Sequence, residues 1–129
     1  MEIDWSSHFH RLLHKQVTRV ALEQWSMTLL IDDSELRVEG DWYLYGTNNI
    51  FDKNQGFIER QAFELWRLIG TEITRIDVFN EHLPKIFFYF TEEWRLELLA
   101  NNDGLEDWAL VTPNSKLFCD GESTTVFSS

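Results

Sequence analysis

The sequence predicts an α+β fold: a mostly antiparallel β-sheet built from two related β-meander halves, with two helices packed on it. Apolar residues recur at helical spacing in two stretches and alternate with polar ones, or run unbroken, in most of the others. The order of these stretches also repeats along the chain. At 129 residues the chain has the size of one domain with one core, so residues 1–129 are read as a single unit.

The first helix is expected over residues 3–15. Trp5, Phe9, Leu12 and Leu13 form one apolar stripe, and Asp4 or Ser6 caps the start. Strands follow at 17–22 and 25–31. The next, 35–39, alternates, with Leu36 and Val38 on one face and Glu35, Arg37 and Glu39 on the other. Asp32-Asp33-Ser34 makes the hairpin turn between these two. Gly40 interrupts, and WYLY at 42–45 resumes as strand until GTNN. A second helix is expected over 58–69, with Ile58, Ala62, Leu65, Trp66 and Ile69 on its buried face and Gly70 at its C-terminal end. Strands then follow at 73–79, 86–90, 94–99, 105–111 and 116–119, separated by HLPK, Thr91-Glu92-Glu93, NNDG and TPNS. IFFYF, at 86–90, is apolar enough for the sheet centre, and the polar tail after Gly121 is expected to fray.

The repeat spans about 17–45 and 73–110. Val17-Thr18-Arg19-Val20 is echoed by Ile73-Thr74-Arg75-Ile76. Each echo leads to an apolar strand, an acidic turn, an alternating strand and an acid–Trp step, Asp41-Trp42 and Asp107-Trp108. Two copies of a helix plus a meander, packed through a shared core, account for this order.

Composition narrows the function. With 22 acidic and 11 basic residues the formal net charge is −11, which repels phosphate backbones and anionic lipid surfaces. Neither nucleic acid nor membrane is an expected partner, whereas a basic protein would be steered in. The lone Cys119 rules out a disulfide within the chain and reads as a small buried strand residue. MEIDWSSHFH lacks the basic start and apolar run of a secretory signal, so the cytoplasm is the expected compartment.

Candidate chemistry is sparse. His10 and His14 have the i,i+4 spacing of paired metal ligands but no third ligand, so no metal or other cofactor is expected. No GxSxG, GxxxxGK[ST] or GxGxxG occurs, and the carboxylates fall in turns and on the polar phase of alternating strands. An enzyme is therefore not expected. The readings kept beside a binding protein are a small-ligand-binding or structural domain, and a hydrolase using a carboxylate pair.

Three segments resemble a family of small bacterial immunity proteins found beside polymorphic and contact-dependent growth-inhibition toxins. They are the strand carrying Trp25-Ser26, Thr28-Leu29 and Asp33, the alternating Leu36-x-Val38-Glu39-Gly40, and the late Glu106-Asp107-Trp108-Ala109-Leu110. The likeness covers roughly residues 17–120. It implies a cytoplasmic inhibitor that covers the active site or substrate surface of a cognate toxin, many such toxins being basic nucleases. The expected partner-binding residues are Asp32, Asp33, Glu35, Glu39, Asp41, Glu92, Glu93 and Glu97, with Trp42 and Trp94 either anchors or core. Monomer and homodimer both stay open, because a Trp-rich edge strand can pair with another copy.

Overall fold

The structure, a computed structural model, describes residues 6–23, 26–46, 50–52, 63–79, 84–100, 107–119 and 124–128. Expected features at residues 3–5, 58–62 and 101–106, together with Trp25 and His82, lie outside them. Among the described residues, eleven strands form two antiparallel sheets. They are β1 (Val17–Leu22), β2 (Met27–Ile31), β3 (Ser34–Val38), β4 (Asp41–Tyr45), β5 (Ile50–Asp52), β6 (Ile73–Phe79), β7 (Lys85–Phe90), β8 (Arg95–Leu99), β9 (Trp108–Val111), β10 (Ser115–Cys119) and β11 (Thr124–Ser128). One sheet runs β1-β2-β3-β9-β10-β11 and the other β5-β4-β8-β7-β6.

The two halves are interleaved. Each begins with a three-strand meander, β1-β2-β3 or β6-β7-β8, in its own sheet. Each then sends its fourth strand to the other sheet: β4 pairs with β8, and β9 pairs with β3. The match extends to register. The inward rows Leu29–Leu36–Leu110 and Phe88–Leu96–Leu44 correspond, as do Met27–Val38–Trp108 and Ile86–Leu98–Trp42. A register shift occurs at Thr18 in β1 and again at Thr74 in β6. There each threonine hydroxyl donates to a carbonyl of the neighbouring strand, Leu30 O at 3.3 Å and Tyr89 O at 3.2 Å.

The halves also bond to one another reciprocally. His14 N–H donates to Ile73 O at 2.8 Å, and Gly70 N–H to Val17 O at 2.8 Å. Val17 N–H reaches Thr71 O at 2.9 Å, and Ile73 N–H reaches Lys15 O at 3.0 Å. An isolated antiparallel bridge, Gln16↔Glu72, sits between these pairs. The apolar rows face inward as one buried cluster, and Phe9 is buried against both sheets, with ring centroids 5.8 Å from Phe88 in one sheet and 5.2 Å from Trp108 in the other.

The expected pair of packed helices is not what forms. Among the described residues 59% lie in strands and 14% in helical turns. The first helix, α1 (Ser6–His10), stops early. Beyond it, i→i+3 bonds (Leu12 N–H to Phe9 O, Lys15 N–H to Leu12 O) tighten the chain, and His14 at φ 67 turns it into β1. Of the second, Phe63–Leu68 is a 3₁₀ helix. At three residues per turn, Leu65 and Leu68 share the buried side while Trp66 and Ile69 turn outward. The apolar stripe was legible but the period was not, since i,i+3 pairs satisfy both helix types. The tail also differs from expectation: Thr124–Ser128 pairs along β10 as edge strand β11.

The crossover between sheets depends on Gly40. Both Glu39 N–H and Gly40 N–H donate to Asp107 O, at 2.9 and 2.8 Å. A Cβ on Gly40 would lie 2.6 Å from Asp107 Oδ1 and 3.1 Å from its Cα, so only glycine admits this approach.

Candidate partner-binding end

Asp32 and Asp33 form the two-residue turn between β2 and β3, closed by the Ile31↔Ser34 pair. Asp32 N–H donates to Gln16 O at 3.1 Å, and Asp32 Oδ2 accepts from Gln16 N–H at 3.2 Å. The second half does the same with different chemistry. Thr91 N–H donates to Glu72 O at 2.9 Å, and Thr91 Oγ1 accepts from Glu72 N–H at 3.1 Å, anchoring the 3₁₀ turn Thr91–Glu93 between β7 and β8. Because Gln16 and Glu72 bridge each other, both acidic turns are held at one end of the molecule.

That end also holds the left-handed backbone. His14, Asp32, Glu92 and Glu93 have φ of 67, 51, 65 and 66°, and Gly70 has φ 88°. A non-glycine residue in this region costs about 1 kcal/mol, and such strain concentrates where a chain serves something other than stability. Asp33 accepts from Lys15 Nζ at 3.0 Å. That bond, more than any other influence, holds its carboxyl below the usual carboxylate range. Asp32, Asp33, Glu92 and Glu93 are all exposed.

The other expected contact residues are dispersed. Glu35 is exposed on the outer face of the six-stranded sheet, two residues past the β2–β3 turn. Glu39 and Asp41 sit at the far end of β3, a strand length of about 17 Å away. Trp42 is core, 4% exposed, and offers no ring to a partner. Trp94 is half-buried under the Arg67 guanidinium, 6.0 Å from its ring centroid, and beside Gly46. Glu97 is buried on the outer face of the five-stranded sheet, where Tyr45 donates its hydroxyl to Glu97 Oε1 at 2.7 Å and Lys85 Nζ lies 3.8 Å from Oε2. Burial, followed by that carboxylate, pushes the Tyr45 phenol up to about 12. These acids alternate correctly with apolar neighbours, so pattern alone could not separate the exposed from the satisfied.

Two residues that the sequence assigned to a buried helix face join the acidic end. Trp66 is 52% exposed and Ile69 45% exposed. The carbonyl of the adjacent Gly70 accepts from Gln16 Nε2 at 2.9 Å, which ties their segment to the bridge between the acidic turns. Exposed tryptophan beside charge is the composition of an interface hot spot.

The spacing argument for a histidine metal pair fails geometrically. α1 ends at His10 and His14 is left-handed, so the two do not share a helix face. Among the described residues no group of three His, Cys, Asp or Glu side chains is placed to hold a metal ion, and no helix is long and apolar enough to cross a membrane. No protein-family model, no curated protein and no solved structure matches the chain.

Proposed function

We propose that this chain is an immunity protein that binds and neutralises a cognate bacterial toxin domain in the cytoplasm. A basic nuclease of a contact-dependent growth inhibition system is the partner whose chemistry fits best. The observation that carries the reading is the convergence of the two acidic turns. Asp32-Asp33 and Glu92-Glu93 come from different halves, yet both are pinned beside one strand bridge. The net charge of −11 adds long-range attraction for a cationic surface. Exposed Trp66 and Ile69 supply apolar area for the short-range contact. A nuclease that binds polyanionic substrate presents the complementary positive surface.

The direct test is co-expression with the toxin domain encoded immediately upstream. Survival with this chain, death without it and a complex on co-purification are the expected results. A gene with no toxin-like neighbour, or death in both cases, rejects the reading. Kinetics then locate the contact. Asp33→Lys and Glu92→Lys should each slow association about three- to tenfold at low salt and flatten its salt dependence. Glu39→Lys, about 17 Å away and beyond a Debye length of about 8 Å at physiological salt, should stay within about twofold. Equal effects from all three variants would remove the acidic end as the contact face.

A further inference from the structure

We propose that the outer face of the five-stranded sheet is a self-association surface, its occupant a second copy of this chain. The interleaved halves provide an internal control. The outward row Phe87–Glu97–Tyr43 of this sheet corresponds in register to Thr28–Arg37–Ala109 of the other. Likewise Tyr89–Arg95–Tyr45 corresponds to Leu30–Glu35–Val111. The inward rows match in character while the outward rows do not. The same strand framework forms in the twin sheet without these aromatics, so the fold does not require them here.

Their geometry is that of a prepared surface. The Arg95 guanidinium lies 4.3 Å from the Tyr45 ring centroid and 5.6 Å from that of Phe87. Arg75 lies 5.1 Å from Tyr89. Phe79, 42% exposed on edge strand β6, stands edge-on to Phe87 with centroids 5.8 Å apart. Stacking holds Arg95 in place, but no carboxylate among the described residues pairs with it. Asp77 is taken by Arg75 at 2.9 Å, and Glu97 by Tyr45 and Lys85. Aromatics framing an arginine are characteristic of binding hot spots.

Charge selects the occupant. This face sets Arg75, Lys85 and Arg95 against Asp41, Asp77 and Glu97, so among its described side chains it is neutral in a chain of net charge −11. A face that carries both signs side by side can meet a second copy of itself across a twofold axis, which lets Arg95 find its carboxylate on the other copy. A basic partner, by contrast, is drawn to the acidic end. Five strands at about 4.8 Å spacing and five residues at about 3.3 Å give about 400 Å² of projected area per copy. About 800 Å² for the pair, before side-chain relief is counted, falls below the about 1,200–2,000 Å² of stable interfaces and implies a weak, transient dimer.

Sedimentation velocity on the full chain, from low micromolar to several hundred micromolar and at low and high salt, tests this. The expected result is a monomer–dimer equilibrium that tightens with salt, because screening relieves repulsion between two strongly acidic copies. A complex at the acidic end with a basic partner weakens with salt instead, so the two readings fail separately. Arg95→Glu and Phe79→Ser should each raise the dimer Kd about tenfold. Val111→Ser, at the position of the twin sheet equivalent to Tyr45, should leave it unchanged. Should Arg95→Glu lose its fold by circular dichroism, Phe79→Ser decides. A monomer under all conditions overturns the proposal, as does a dimer that Phe79→Ser leaves intact or that Val111→Ser weakens equally.

Discussion

Gly40→Ala is a one-carbon change at the point where β3 hands the chain to the opposite sheet. The added Cβ would stand 2.6 Å from Asp107 Oδ1, a side-chain atom with some freedom, and 3.1 Å from Asp107 Cα, which has little. Asp107 is fixed by its own N–H, donating to Cys119 O at 2.7 Å, and by its carbonyl, which accepts from both Glu39 and Gly40. Relief therefore requires moving β9 against β10 or loosening the two crossover hydrogen bonds. Overpacking costs about 1–3 kcal/mol, and each weakened hydrogen bond about 1 kcal/mol more, so a loss of about 2–4 kcal/mol is expected. Unfolding entropy of about 2.1 cal/mol/K per residue makes about 0.27 kcal/mol/K for a chain of this length, and the loss becomes a fall in Tm of about 7–15 °C. Differential scanning calorimetry reads it directly. Gly70→Ala is the comparison, since nothing lies within 4 Å of its Cβ position and only its φ of 88° opposes the change. If Gly40→Ala melted within about 2 °C of the parent, or lost less than Gly70→Ala, the close approach inferred at the crossover would be wrong.

Glu92→Gly should stabilise the fold by about 0.5 kcal/mol, a Tm rise of about 2 °C, by relieving a left-handed residue at φ 65°, ψ 23°. The same change should slow association with a basic partner. Gain of both stability and partner binding would mean that the strained acidic turn serves no interface. Burial and the hydrogen bond to Glu97 push the Tyr45 phenol from its ordinary 10.0 up to about 12, so the folded state holds this proton more tightly. Its contribution is complete below about pH 10 and is lost as pH climbs to about 12. Urea titrations of the wild type should show a falling midpoint across that window, and Tyr45→Phe should flatten the fall. A parallel decline in both proteins would assign the alkaline loss to other groups.

Much of the secondary structure was legible because period is a local property. Leu36 and Val38 alternate with Glu35 and Arg37 regardless of neighbours, and β3 forms where that alternation lies. The Thr-Arg echo marked equivalent strands, and Thr18 and Thr74 make equivalent hydrogen bonds across a shifted register. The acidic turns were visible for the same reason: Asp32-Asp33 sits between two periodic runs. What failed was the helical content. Phe9, Leu12, Leu65 and Leu68 are all fully buried, but spacing of three permits a 3₁₀ turn as readily as an α-helix.

Strand character, the acid-rich turns and the excess of negative charge were thus determined by the sequence itself, since each depends on residues adjacent in the chain. Which sheet each strand joins was decided only by the tertiary structure. Alternation tells β4 and β9 which side to bury but not against whom, and each crosses to the other half's sheet. That exchange buries Trp42, which read as either anchor or core, and places Glu97, which read as a surface contact, beneath Tyr45. The convergence of Asp32-Asp33 with Glu92-Glu93 is likewise tertiary. Turns about 60 positions apart are anchored on the two residues of the Gln16↔Glu72 bridge, and no local pattern encodes a pairing at that separation.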